Sequence, residues 1–281
     1  MPGSPALPSL ALAAARACVA VWHPRMLLAG LLAAALVAAP LFAAAWWGWE
    51  DAVAAVRAAM EQWALVEAML RWLEATGGAG LRTLVAPMLL VAAALPIVVV
   101  LVAAVVALVV APVAARVAAE GLARRGGGAI EPARGLGAGA LGARVLACTF
   151  VASGVLVLSM PLWLVPGAVL LVWPLAWGWM AARVLPHAVL ARVATVAERR
   201  ALLHRHRFGV GGIGCATGFA ALAASLPWAT GAVAIIFAPW LMLASVLLHT
   251  AVFAGAAAAF AQWLLPRLEN EHRPVLLETP R

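Results

Sequence analysis

The sequence predicts an all-α, polytopic helical membrane protein, and three observations carry that prediction. The 59 residues between Arg207 and Arg267 contain no Asp, Glu, Lys or Arg, and residues 83–115 and 145–182 are uncharged as well. Hydrophobic residues make up 66% of the 281 and charged residues only 11%, a balance that soluble domains do not have. The uncharged runs are also long enough, since a helix crossing about 30 Å of hydrocarbon takes roughly 20 apolar residues. Their layout gives two long transmembrane helices and then two proline-centred membrane hairpins, in a single membrane domain.

Residues 9–23 form an amphipathic lead-in. The first span, 26–48, is too long for a signal-peptide core, and Trp46, Trp47 and Trp49 stand where a cleavage site would be, so it reads as uncleaved. Residues 49–76 form a polar helix with Arg57/Glu61 and Glu67/Arg71 as i,i+4 pairs and Val53, Val56, Met60 and Trp63 on the other face. Gly77, Gly78 and Gly80 end it. The second span, 81–115, contains 33 uncharged residues, about 50 Å of helix, with Pro87, Pro96 and Pro112 as expected kinks. A Gly-rich loop, 116–144, carries five Arg against Glu120 and Glu131.

The first hairpin stretch is 145–182 and the second is 208–265. Between them, 183–207 reads as a basic amphipathic helix with six Arg against Glu198 alone, and 266–281 is a charged tail. Ser159-Met160-Pro161, Gly167-Ala168-Val169 and Pro174 in one hairpin are echoed by Ser225-Leu226-Pro227, Gly231-Ala232-Val233 and Pro239 in the other. The first arm, 145–160, has 16 residues, about 24 Å of helix, slightly short of a crossing. Two readings stay open: arms that dip into the bilayer and return, or tilted spans joined by a tight turn.

Charge sets the orientation. Residues 49–82 hold three Arg and five acids, whereas the remaining segments hold 16 Arg and six acids. The positive-inside rule therefore places the N-terminus, the 116–144 loop and the 183–207 helix in the cytoplasm, in an inner-membrane protein with 49–80 outside. The net charge of +8 is explained in this way, without nucleic acid as a partner.

Several chemistries are excluded. Cys18, Cys148 and Cys215 have neither CxxC nor Cys/His spacing, so no metal or other cofactor is expected. No nucleophile stands beside a base and no HExxH pair occurs, so no catalytic residue is assigned and the chain does not read as an enzyme. Gly209–Gly214 matches GxGxxG, but a basic helix precedes it and the next acid is Glu269, which rules out dinucleotide binding. The overlapping Gly214-Cys215-Ala216-Thr217-Gly218 is a GxxxG motif suited to close helix packing in lipid. His204-Arg205-His206-Arg207 reads as a basic surface for anionic headgroups.

Two residues are candidate substrate contacts. In His23-Pro24-Arg25, Pro24 suits the first turn of a helix, and an Arg there opposes the macrodipole unless an anion joins it. Arg25 is thus either an anion contact or a topology anchor on lipid phosphate. His249 is the ionisable side chain well inside the last apolar stretch, placed either for function or to hydrogen-bond between helices.

The His-Pro-Arg entry to span one, the polar external helix, the proline-bearing second span and two proline hairpins around Glu198-Arg199-Arg200-Ala201-Leu202 together resemble the etoposide-induced-protein family. His206-Arg207, Pro227-Trp228 and Ala238-Pro239 add to the likeness, and its bacterial branch includes the CysZ sulfate permeases. The resemblance implies two long transmembrane helices with membrane-dipping hairpins, homo-oligomeric assembly and sulfate uptake. It further implies a sulfate contact at the entry to span one, where Arg25 alone stands in place of the Gly-Leu-Arg-Arg-like segment of CysZ-like proteins. Two functions follow as expectations: transport of a sulfate-like inorganic anion, or a non-transporting membrane scaffold that shapes the bilayer.

Overall fold

The computed structural model describes residues 6–75, 81–125, 138–158, 166–229 and 238–277, which form nine α-helices and one 3-10 turn, with no strand among the described residues. The tips of both hairpins, at 159–165 and 230–237, the glycines at 76–80 and the 126–137 part of the polar loop lie outside the described residues.

Helix α1 spans Ala6–Val21, and α2 runs unbroken from Pro24 to Gln62. Local chemistry sets where α2 begins. His23 is extended (φ −64°, ψ 134°) and its Nδ1 accepts the Arg25 N–H at 3.3 Å, while Pro24 takes the first helical position, where a missing N–H costs nothing. The helix passes Glu50 and Asp51 without interruption, so the first span and the start of the polar segment are one rod of 39 residues, about 58 Å long. It stops at Trp63, and α3 (Ala64–Ala75) follows. Helix α4, Leu81–Ala123, keeps Pro87, Pro96 and Pro112 inside one 43-residue element.

The core lies around α4. Val98, Val102, Val106, Val110 and Ala114 form one i,i+4 ridge, and Val99, Ala103, Ala107, Ala111 and Ala115 form the next, all buried. Against them α2 presents Ala29, Ala33 and Val37, and α9 (Ala238–Leu277) presents Phe253, Ala257, Phe260, Ala261 and Leu264. Lipid tails are as apolar as these side chains, so small residues that let backbones approach provide most of the cohesion.

Helices α5 (Ala138–Leu158) and α6 (Pro166–Val189) pack on the other side, and α8 (Arg207–Ala229) lies along α6. There the GxxxG motif acts as its pattern indicated. A Cβ on Gly214 would stand 2.6 Å from the Gly178 carbonyl oxygen, and one on Gly218 would collide with the Pro174 carbonyl. The α6–α8 seam is backbone against backbone.

Residues 183–207 are not one continuous helix. Helix α6 continues to Val189, a 3-10 turn covers Leu190–Arg192, and α7 spans Val196–Arg205. The break is fixed by a capping box: the Thr195 hydroxyl accepts the Glu198 N–H at 3.4 Å, and the Glu198 carboxylate accepts the Thr195 N–H at 2.8 Å. By length and composition, four helices among the described residues can cross a membrane: α2, residues 94–123 of α4, residues 207–225 of α8 and residues 240–270 of α9.

Arginine-bearing ends of different helices meet. The start of α2 bonds to the end of α4 through Arg25 and Glu120, and the junction of α7 and α8 meets α9 through the edge-on rings of His206 and Trp263, 5.6 Å apart. At the opposite end, Phe42, Trp46 and Trp47 of α2 and Trp240 of α9 enclose an apolar cavity of about 750 Å³.

Candidate functional site

Arg25 sits at the N-terminus of α2, as Pro24 suggested, and is 62% exposed. Its guanidinium donates to the Glu120 carboxylate at 2.6 Å, so α4 supplies a counter-charge from 95 residues away. Both side chains are wet, and such pairs stabilise by only about 0–1 kcal/mol, which makes the contact exchangeable. Beside it, Arg16, His23, Arg124, Arg125 and Gln262 line a cavity of about 540 Å³ between α1, α4 and α9, with no Asp or Glu among its described lining residues.

His249 is fully buried between α8 and α9. Its Nδ1 lies 2.7 Å from the Ser245 carbonyl and therefore carries the proton, while Nε2 lies 3.0 Å from the Ser225 hydroxyl. The Ser245 hydroxyl is 3.1 Å from Nδ1, and the ring stands edge-on to Trp177 at 6.2 Å. Both ring nitrogens are occupied by protein groups. The structure does not bring His249 and Arg25 together in one cavity.

A third cluster lies largely in the basic 183–207 segment, which the sequence marks as a whole without singling out Arg144, His187 or Arg199. Arg199, on α7, is 2% exposed, and its Nε and Nη1 are buried without a hydrogen-bond partner. The same holds for Nδ1 of His187 on α6, a residue 8% exposed, and for Nε of Arg144 on α5. Arg144, Arg183, His187, Arg200, His204 and Arg207 line an adjoining cavity of about 610 Å³ that also has no carboxylate among its described lining residues. Arg183 leans over the Trp179 ring at 5.9 Å and Arg207 over Phe208 at 4.9 Å.

The electrostatics follow from this crowding. Burial, then the charges of Arg144 and Arg199, push the His187 imidazole down to about 3, with the Arg183 backbone acting in the opposite sense, so His187 is neutral near pH 7. Arg199 is lowered by burial and by Arg144 and Arg200, but a guanidinium keeps its proton under such pressure. The available signal was the Thr195-x-x-Glu198 pattern. It marks a helix start, and a new helix there folds Arg199 back against α6 instead of leaving it on a solvated face.

A family model described as sulfate transporter CysZ/etoposide-induced protein 2.4 matches residues 13–239, most of the chain. No curated protein and no solved structure matches. The matched span contains Arg25, Glu120, Arg144, His187 and Arg199 and ends before His249.

Proposed function

We propose that this multi-pass membrane protein, which belongs to the sulfate transporter CysZ/etoposide-induced protein 2.4 family, is a permease for a small inorganic anion of the sulfate type. The family is one of transporters rather than enzymes. The observation that carries the reading to an anion is the gathering of Arg16, Arg124 and Arg125 around a cavity beside Arg25 with no Asp or Glu among its described lining residues. The Arg excess of the segments at that end supports a cytoplasmic N-terminus and a cytoplasmic cavity mouth in an inner-membrane protein.

Arg25 is the proposed contact. An oxyanion arriving at the α2 N-terminus meets the positive end of the helix dipole and a guanidinium that releases Glu120 at small cost. His249 serves the path by holding α8 to α9, since its ring nitrogens are already bonded to those helices. Assembly of several copies in the bilayer belongs to the same proposal.

The scaffold reading draws on a different observation: the middle of the bundle is tightly closed, with Val98, Val99, Val106 and Ala107 fully buried. Radiolabelled sulfate flux in proteoliposomes separates the two. The permease reading predicts saturable uptake above that of empty vesicles, abolished in Arg25→Ala and only partly restored in Arg25→Lys, because an ammonium lacks the planar fork that grips an oxyanion with two bonds. Wild-type flux equal to that of empty vesicles would leave the scaffold.

A further inference from the structure

We infer that the pocket walled by α5, α6, α7 and α8 is a binding site for a tetrahedral oxyanion, sulfate or a phosphate group, held by Arg144, His187 and Arg200 of its wall, with the unpartnered guanidinium of the buried Arg199 adding its charge. As a station on a transport route it rests on the permease reading; as a binding site it rests on its own geometry.

The first argument is the kind of atom left unbonded. Guanidinium nitrogens of Arg199 and Arg144 can only donate, and Nδ1 of neutral His187 donates in one of its two tautomers. A ligand that completes this set must be an acceptor with several lone pairs. A metal ion needs the opposite, electron pairs from the protein, and no His/Cys/Asp/Glu group able to hold a metal occurs among the described residues.

The second argument is charge. A guanidinium this deeply buried is costly unless an opposite charge reaches it, and those costs fall on groups that also repel one another. Arg183, Arg200 and Arg207 add to the same field, and no described carboxylate lines the cavity to offset it. A divalent oxyanion does so and bonds to three helices at once.

The third argument is shape. At about 610 Å³ the cavity exceeds one anion, and its wall passes from Arg200 and His204 to the apolar α6–α8 seam at Leu175, Gly178, Val210 and Gly211. An oxyanion carried on a lipid headgroup fits that gradient as a free anion does. The shared chemistry is the tetrahedral oxyanion, and the source is an experimental matter.

The test uses full-length protein purified in a nonionic detergent. Binding of radiolabelled sulfate is measured against chloride at matched ionic strength for wild type, Arg199→Met, Arg144→Gln and, as a distant control, Arg71→Gln. Wild type and Arg71→Gln should bind alike, and Arg144→Gln, which removes a group of the cavity wall, should lose at least about tenfold in affinity, the usual loss when a charged hydrogen-bond partner is removed. Arg199→Met should unfold at a temperature no lower than wild type without sulfate, because an uncompensated buried charge is gone. If Arg199→Met does not fold, Arg144→Gln carries the test from its half-buried position in the cavity wall. Unchanged sulfate affinity in the folded pocket variants overturns the site for free anion.

A second arm repeats the measurement in nanodiscs of phosphatidylcholine with or without phosphatidylglycerol. Competition by phosphatidylglycerol that vanishes in the pocket variants identifies a lipid phosphate as occupant, whereas indifference to it identifies free anion. If neither sulfate nor phosphatidylglycerol distinguishes wild type from the pocket variants, the site is refuted. Binding without flux refutes the permease reading and leaves the site intact; flux with unaltered binding in the pocket variants does the reverse.

Discussion

His249 and Arg199 are sealed from solvent to the same degree, at 0% and 2% exposure, yet their surroundings are opposite. Around His249 each ring nitrogen meets a serine or a backbone carbonyl, and Trp177 closes the remaining side. Around Arg199 the neighbours are Arg144, Arg200 and His187, and donors face donors. Burial alone therefore does not mark function. A buried polar group with its partners in place locks helices together, whereas one with partners missing waits for something from outside.

The largest effect should come from breaking the satisfied region. His249→Ala removes the link between α8 and α9 and opens a cavity against Trp177, so unfolding in detergent should show a loss of about 2–4 kcal/mol. A loss below about 0.5 kcal/mol would mean that the contacts do not hold the helices.

In the unsatisfied region the sharper probe is pH. The folded His187 titrates at about 3 and the unfolded one near 6.5, so its neutral form is favoured by folding. That contribution is fully present above pH 6.5 and is lost as pH falls toward 3, by up to about 1.4 kcal/mol per unit. The groups facing it are Arg144 from α5, Arg199, Arg200 and His204 from α7, Arg207 from α8 and Arg183 from its own helix. His187→Gln should lose less stability than wild type between pH 6.5 and 4, and sulfate should narrow the difference by offsetting the arginine charges. Parallel pH profiles for the two proteins would contradict this environment.

The smallest effect belongs to the exposed pair. Glu120→Gln should change stability by less than about 1 kcal/mol while lowering the sulfate concentration at half-maximal flux, because Arg25 no longer has to release a carboxylate. Unchanged half-saturation would argue for Arg25 as an anchor rather than a contact.

What was legible in the sequence was whatever local chemistry dictates. The uncharged runs gave a helical membrane protein, Pro24 marked the helix start beside Arg25, and Gly214 and Gly218 marked a close seam. Arg25–Glu120 was not legible, because the partners stand on separate helices and only tertiary packing joins them. Arg199 was hidden for another reason. Six arginines in 183–207 look like one solvated face as long as the helix is taken as continuous, and the Thr195 cap that breaks it turns one of them inward. His249 was visible as an ionisable group in an apolar stretch, but its serine partners lie on two helices, so its satisfaction was not.

The comparison can be settled most directly by crystals of the full-length protein soaked in selenate, a sulfate isostere whose anomalous scattering locates it without reference to geometry. The account predicts a peak bounded by Arg144, His187 and Arg200 and none beside His249. A peak against His249, or an empty arginine pocket at a selenate concentration that saturates binding in solution, would contradict it.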